Sequence, residues 1–177
     1  MFKYLIILLV AFFSCQKQET DSLSKKLTNW EFEYKGEWYE AKVPGNNFSD
    51  LLNHGFITDP FYGTNEDSVQ WVAENDWIYQ SKFSVLEDTL TKNNHLLCFH
   101  GLDTYAKVFL NDSLILQADN MFRSWEIDVS KILKEENTLL VKFDAVSKIE
   151  NEKQTVLGYS LPGGSRVFTR KAGFHYG

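Results

Sequence analysis

The chain has 177 residues and a formal net charge of -6 at neutral pH, and aromatic residues make up 15% of it. That length allows one domain of ordinary size with a real hydrophobic core. The sequence contains no run of basic residues, and its acidic balance argues against nucleic acid as a partner. The many phenylalanine and tryptophan residues favour strands and the core of a sandwich.

The first 14 residues have the pattern of an export signal. Lys3 precedes an apolar run over residues 4–13, which is too short to span a bilayer permanently but suits the core of a signal peptide. Ser14 stands directly before Cys15, which resembles the lipobox of bacterial lipoproteins. We therefore expect cleavage before Cys15, lipidation of Cys15, and a protein held at the periplasmic or cell-surface face of a membrane by its lipid alone. Ordinary secretion is the alternative.

Residues 15–26 are polar and without pattern, so we expect them to form a tether. Once Cys15 is lipidated, Cys98 is the only remaining thiol and no disulfide can form within the chain. Cys98 lies within an apolar run, which predicts a buried and inert thiol, because a reactive thiolate needs exposure and positive neighbours.

Residues 27–177 predict an all-β domain. Apolar and polar residues alternate in twos along many short segments, and this period places successive side chains on opposite faces of a strand. The four segments between residues 106 and 143 predict one antiparallel sheet, half of a sandwich. The longest segment, 77–85, predicts a strand at the centre of its sheet. The predicted strands cover residues 30–32, 38–43, 77–85, 96–100, 106–110, 114–116, 125–129 and 139–143.

The segments between the predicted strands carry helix and turn signals. Ser49 is placed to cap a short helix that Gly55 ends in a left-handed conformation. Residues 57–63 predict an ordered loop whose aromatic side chains are buried, and residues 68–71 a further helical turn. Residues 147–164 are polar and contain glycine, which predicts a mobile excursion.

Several short blocks of the sequence, taken in order, resemble one family. They are Val43-Pro44-Gly45, Asp59-Pro60-Phe61-Tyr62-Gly63 with Asn65-Glu66, Gln70-Trp71-Val72, Asp76-Trp77-Ile78-Tyr79, Phe99 to Ala106, Leu110-Asn111, Asp119 to Arg123, Arg170-Lys171-Ala172 and His175-Tyr176-Gly177. Together they resemble the N-terminal domain of the β-mannosidases of glycoside hydrolase family 2, over nearly all of residues 27–177. The blocks at 59–66 and 102–106 separate this resemblance from the galactosidase and glucuronidase branches.

The resemblance implies a galactose-binding-domain-like jelly-roll β-sandwich whose last strand would lie beyond Gly177. It also implies a longer retaining glycosidase, because family members continue into a Trp-Asp-Trp segment that lines the sugar site. Immunoglobulin-like domains follow there, then a barrel with two catalytic glutamates. We therefore expect a non-catalytic front piece of an exported enzyme that removes terminal β-D-mannose from the non-reducing ends of oligosaccharides. The alternative is a free-standing surface lipoprotein that binds glycans without cleaving them.

The resemblance also suggests candidate substrate-binding residues. Arg170, Lys171 and His175 lead into the position of the family's sugar-lining segment, so they would border the pocket of the complete enzyme. Alternatively, Arg170 and Lys171 pair with carboxylates across a domain interface. Trp71, Trp77 and Trp125 could stack on sugars, but tryptophan at strand spacing favours the core.

The sequence predicts no catalytic residue, no cofactor and no transition-metal site in this chain. Retaining hydrolysis needs two carboxyl groups about 5 Å apart. Asn65-Glu66 is similar to the clan's acid/base pair but belongs to the wrong domain, so we expect it to be loop structure, and Glu135-Glu136 to be surface. The four histidines lack metal-ligand spacing. Asp103, Asp119 and Asn120 could contribute to a structural calcium site, although no spacing demands one.

Overall fold

The structure is a computed structural model that describes residues 24–91, 94–159 and 168–169. Eight strands and five helices form within these ranges. The strands are β1 (Trp30–Tyr34), β2 (Glu37–Ala41), β3 (Trp77–Ser84), β4 (Leu96–Phe99), β5 (Ala106–Leu110), β6 (Ser113–Ala118), β7 (Trp125–Asp128) and β8 (Glu136–Phe143). The helices are α1 (Asn47–Asn53), α2 (Asn65–Ser68), α3 (Trp71–Glu74), α4 (Glu87–Leu90) and α5 (Val146–Leu157).

The strands form two antiparallel sheets. Six strands pair in the order β2-β1-β3-β8-β5-β6, and β4 pairs with β7 in a second sheet. This arrangement confirms the predicted all-β sandwich, and β3 lies at the centre of the larger sheet, between β1 and β8. One prediction is wrong. The Trp125 strand does not join the sheet of its sequence neighbours but pairs with β4, from Leu96↔Asp128 to Phe99↔Trp125. Alternation reports that a strand has two faces, and it does not report which strand is its partner.

Two tight turns fix the register of the hairpins at the two ends of the larger sheet. Lys35 and Gly36 join β1 to β2 with φ of 53° and 85°, so that Tyr34 pairs with Glu37. Asn111 and Asp112 join β5 to β6 with φ of 49° and 66°, so that Leu110 pairs with Ser113. Two successive positive φ angles match the twist of paired strands, and glycine, asparagine and aspartate tolerate them best.

Period-two alternation builds the core. Ala106, Val108 and Leu110 of β5 are buried while Lys107 between them is exposed, and Leu139 and Val141 of β8 are buried beside them. Phe32 of β1 is fully buried among the rings of Tyr39, Trp77 and Tyr79. Each side chain of this kind stabilises the fold by about 1.5–3 kcal/mol relative to an exposed position.

The α1 segment confirms its predicted end and corrects its predicted start. Gly55 follows the helix with a φ of 72°, as expected. The cap is Asn46, whose side-chain oxygen accepts the backbone N–H of Ser49 at 2.9 Å, so Ser49 lies inside the first turn. Asparagine and serine are both good caps, and the residue that adopts extended backbone takes the role.

The predicted mobile excursion is wrong over its described part, because residues 146–157 form α5. Its polar composition hid the helix, since only one narrow side faces the protein and Glu150 is buried on it. Asp76 fixes the entry to α5 by accepting the N–H of Ala145 at 2.7 Å. Gly158, with a φ of 72°, ends it.

Two predictions of burial are also wrong. Cys98 is exposed, because Leu97 and Phe99 point toward the core and the pleat turns Cys98 outward. In the 57–63 loop, Phe61 and Tyr62 are 76% and 78% exposed, although the loop is ordered by the N–H of Phe61 bonding to the Asp59 carboxylate at 2.9 Å.

Candidate functional site

A groove of about 400 Å³ opens at one end of the sandwich, and we call it the end groove. Parts of the two sheets and α5 meet there. Its walls are the start of β5, the end of β6, the approach to β7 and the residues after β8. The lining residues are Tyr105, Ala106, Lys107, Gln117, Ala118, Asp119, Arg123, Trp125, Asp144 and Ile149.

Charged side chains on the end groove are held by specific contacts. Lys107 Nζ donates to Asp144 Oδ2 at 2.8 Å, and this hydrogen bond raises the pKa of Lys107. Lys153 of α5 donates to the hydroxyl of Tyr105 at 3.0 Å and lies 4.9 Å from the centre of that ring. The same hydroxyl lies 3.0 Å from Thr169 Oγ1. Tyr105 therefore joins β5, α5 and the segment that contains Thr169.

Arg123 and Trp125 form the other wall of the end groove. The Arg123 guanidinium lies 4.8 Å from the centre of the Trp125 ring, the geometry of a cation–π contact. The indole N–H of Trp125 is buried and meets no hydrogen-bond partner within the described part of the chain. Trp77 is buried, as predicted, and donates to the Val72 carbonyl at 2.8 Å, whereas Trp71 and Trp125 are only half-buried.

The predicted substrate-binding residues Arg170, Lys171 and His175 lie outside the described residues, as does the predicted lipidation site Cys15. Their roles stay predictions. Thr169 is the described residue next to Arg170 in sequence, and its contact with Tyr105 places it at the end groove. The end groove is therefore the described surface that adjoins the predicted sugar-site segment along the chain.

A second groove, of about 540 Å³, follows the outer side of β2, and we call it the edge groove. It lies between residues 26–30, the end of β2 and α1. Asp50 of α1 is only 2% exposed there. Its Oδ1 accepts the backbone N–H of Lys42 at 3.0 Å, and its Oδ2 accepts the Tyr79 hydroxyl at 3.1 Å. Burial raises the pKa of Asp50, and these two hydrogen bonds oppose that rise.

Sequence reasoning missed Asp50, and it treated His54 only as a possible metal ligand. His54 caps the C-terminus of α1, and its Nε2 lies 2.8 Å from the carbonyl oxygen of Glu40, so the helix and its cap contact the end of β2 through two side chains. The available signal was their spacing: residues four apart share one face of a helix, and that face also carries the buried Leu51 beside it. The pattern could indicate a polar contact of the helix with its neighbour, but not which strand supplies it.

Two carboxylates at the grooves have structural contacts. Asp144 is ion-paired with Lys107, and both carboxylate oxygens of Asp50 accept hydrogen bonds. The Glu135-Glu136 pair is exposed, as predicted, whereas Glu66 is exposed but lies in helix α2 and not in the predicted loop. Among the residues that the structure describes, no three acidic, histidine or cysteine side chains converge as a metal site would require.

Two of the three calcium candidates have local contacts. Asn120 Oδ1 accepts the N–H of Phe122 at 2.9 Å, and the Asp103 carboxylate accepts the hydroxyl of Thr104. Over the described ranges, no helix has the length and apolar character needed to cross a bilayer.

A sandwich of two antiparallel sheets, with short helices between its strands and grooves at one end and along one edge, defines a galactose-binding-like β-sandwich domain. Residues 25–177 match the family model described as "Glycosyl hydrolase 2 galactose-binding domain-like", and the chain belongs to that family. The resemblance stated from the sequence motifs is therefore confirmed.

Several of the similar proteins are β-mannosidases. The chain is 36% identical to β-mannosidase B of Thermothelomyces thermophilus over 84% of this chain and 19% of the relative. It is 43% identical to the solved β-D-mannosidase of Dictyoglomus thermophilum, with a TM-score of 0.77 over 81% of this chain and 18% of that chain. A Ruminococcus gnavus β-glucuronidase shares the fold alone, at 17% identity and a TM-score of 0.51. The chain spans less than a fifth of the length of these β-mannosidases.

Proposed function

We propose that this chain is the N-terminal, non-catalytic domain of an exported β-mannosidase. One observation carries the proposal. The sequence identity is 43% toward the Dictyoglomus thermophilum β-D-mannosidase and 17% toward the β-glucuronidase of similar fold, and the TM-score falls from 0.77 to 0.51. In this proposal the whole enzyme removes terminal β-D-mannose from oligosaccharides. The acid/base and nucleophile of that reaction belong to a separate catalytic domain.

The end groove is the surface that we assign to the sugar side of the domain. It adjoins Thr169, and the Arg170, Lys171 and His175 that follow would border the pocket of the whole enzyme. The Tyr105 hydroxyl contacts Thr169 and Lys153 and so fixes the described residue that directly precedes Arg170 in sequence. The domain would thus shape the pocket without supplying a reacting group.

A domain exchange tests the proposal. Residues 25–177 would replace the matching part of the Dictyoglomus thermophilum β-D-mannosidase, and the chimera would be assayed with an aryl β-mannoside. We expect a folded chimera that hydrolyses the substrate. The matched control carries the corresponding domain of the Ruminococcus gnavus β-glucuronidase, which we expect to give no β-mannosidase activity. A folded, monodisperse chimera with this chain but without activity would contradict the proposal.

Export and lipidation form a separate part of the proposal. They are supported by the apolar run over residues 4–13 and by Ser14-Cys15. Expressed in a bacterium with radiolabelled palmitate, the chain is expected to carry label in the membrane fraction. The Cys15→Ser variant is the control and should carry none. Equal labelling of both would remove the lipid anchor from the proposal.

Exposed loop aromatics favour a second candidate function, the binding of glycans without cleavage. Phe61, Tyr62 and Phe122 are all more than 60% exposed on loops, and aromatic faces of this kind can stack on sugar rings. Calorimetry with mannooligosaccharides tests this candidate. Binding by the chain that is lost in the Tyr62→Ser variant would support it, and absence of heat at millimolar sugar would oppose it.

A further inference from the structure

Among the strands that the structure describes, β2 lies at one edge of the six-stranded sheet and pairs with β1 alone. Tyr34 and Glu37 flank a two-residue turn, so they form the closing hydrogen-bonded pair of the hairpin. Hydrogen-bonded pairs recur at every second residue of an antiparallel ladder. The backbone groups of Trp38, Glu40 and Lys42 therefore point away from β1, toward the outer edge of the sheet.

Helix α1 supplies partners for part of that outer edge. The Asp50 carboxylate accepts the N–H of Lys42 at 3.0 Å, and His54 Nε2 lies 2.8 Å from the Glu40 carbonyl. A carbonyl oxygen only accepts, so Nε2 of His54 carries the proton that is shared. One N–H and one C=O of the edge are thus paired by side chains four residues apart on a single helical face.

The contacts of Asp50 and His54 extend from the edge into the core. Asp50 also accepts the Tyr79 hydroxyl at 3.1 Å, which ties α1 to the central strand β3. The His54 ring lies 5.5 Å from the Tyr39 ring and 5.7 Å from the Phe32 ring. The helix is therefore fixed to three strands through two side chains.

We propose that α1 is a cover on the outer edge of β2 and that Asp50 and His54 are the clasp that holds it there. An uncovered edge strand presents unpaired N–H and C=O groups on which another chain can add a strand. The clasp satisfies two of these groups. The uncovered part of the edge, at Trp38, is flanked by Glu37 and Glu40, whose like charges oppose pairing with a second copy. Opening of the cover would convert β2 into an edge on which a second copy of this chain adds a strand.

Amide exchange measured by NMR on the intact chain tests the proposal. In Asp50→Ala we expect the Lys42 amide to exchange at least about tenfold faster, while the amides of Leu139 and Val141 in β8 keep their protection. Asn53→Ala lies on the same helix and is exposed, so it is the matched control and should leave Lys42 unchanged. Asp50→Asn keeps an acceptor for the Lys42 N–H and should retain most of the protection, even if Asp50→Ala proves too unstable to measure.

A second readout follows the consequence of opening. His54→Phe keeps a ring at this position but loses the donor to Glu40, whereas His54→Gln keeps a donor. We expect the double variant Asp50→Asn/His54→Phe to form larger species in light scattering at high concentration, and Asp50→Asn/His54→Gln to remain as the parent chain. Equal Lys42 exchange in Asp50→Ala and Asn53→Ala would overturn the proposal. So would identical light scattering of the two double variants.

Discussion

Both edges of the six-stranded sheet could pair with a strand of another chain, and they are protected against this differently. On one side β2 is covered by α1 and carries Glu37 and Glu40. On the other side β6 has no charged residue, and its register against β5 shifts between Val108 and Phe109. Such a shift is a bulge, which bends and twists an edge strand away from the flat shape that pairing needs. One edge depends on side-chain contacts and the other on backbone shape.

The difference determines how each edge can fail. A side-chain cover fails when a single acceptor or donor is removed, and the loss is local to α1 and β2. A bulge fails only when the register changes, which disturbs every side chain that follows it. Substitutions should therefore be more damaging to edge protection at Asp50 than at an exposed position of β6.

The largest expected effect lies in the core behind the β2 edge. Phe32→Ala removes a fully buried ring that packs against Tyr39, His54 and Tyr79. We expect a loss of about 3–5 kcal/mol in the free energy of unfolding, measured by urea denaturation. The matched variant on the other side, Leu116→Ala in β6, should cost about 2–5 kcal/mol and leave α1 protected in amide exchange. A larger loss of amide protection in α1 for Leu116→Ala than for Phe32→Ala would contradict this prediction.

The next effect is the removal of the clasp itself. Asp50→Ala leaves the N–H of Lys42 and the hydroxyl of Tyr79 without their acceptor, and we expect a cost of about 1–3 kcal/mol for the groups left unpaired. Asn53→Ala should stay within about 0.5 kcal/mol of the parent chain. Urea denaturation of the two variants side by side measures the difference, and equal midpoints would show that the clasp adds no stability.

A smaller effect is expected at the turn that precedes β6. Asn111 adopts a φ of 49°, donates to the Ile132 carbonyl at 3.0 Å and accepts the N–H of Thr138 at 3.0 Å. Asn111→Gly keeps the backbone geometry and loses these bonds, so we expect a cost of about 1–2 kcal/mol in thermal unfolding. Because glycine tolerates the φ, the register of β6 should survive. Preserved cross-strand NOEs between Val108 and Leu116 would show this, and a shifted register would contradict it.

The smallest effect concerns pH. Burial raises the pKa of Asp50 above its ordinary value of 3.8, so ionisation of this group costs more in the folded chain than in the unfolded one. The stability that it contributes is fully present below pH 3.8 and is lost as the pH rises through the folded pKa. Asp50→Asn should therefore gain stability relative to the parent chain as the pH rises from 3.5 to 7.

Unfolding free energies at several pH values measure this difference. Ser130→Ala is a control of opposite sign. Hydrogen bonds from Ser130 lower the pKa of Asp128, so the stability that Asp128 contributes is lost as the pH falls and not as it rises. Parallel pH profiles for the parent chain and Asp50→Asn would contradict the prediction.

The sequence predicted what depends on local pattern. Alternation located the strands, including the central position of β3, and Gly36, Asn111 and Asp112 suit the positive φ angles of the two hairpin turns, whereas Lys35 does not. It failed where the outcome depends on contacts between distant segments. Examples are the partner of β7, the cap of α1, and α5, whose polar surface conceals the buried Glu150.

The site was predicted less completely than the fold. The family motifs indicated a glycoside hydrolase family 2 domain similar to the N-terminal domain of β-mannosidases, and the comparisons confirm this similarity. Neither the end groove nor the clasp followed from the sequence, because Tyr105, Lys153 and Thr169 are far apart along the chain and meet only after folding. The predicted burial of Cys98 was wrong for a simpler reason. An apolar run in a strand buries every second side chain, and the sequence alone did not say which of the two sets is buried.

The most direct test of the account is an assay of the purified chain with an aryl β-mannoside, beside the complete Dictyoglomus thermophilum β-D-mannosidase as a positive control. We predict no hydrolysis above the uncatalysed rate by the folded chain, because it would shape a pocket whose reacting carboxyl groups belong to another domain. Turnover that follows the chain through purification, and that is lost in a variant of one of its own carboxylates, would contradict the account.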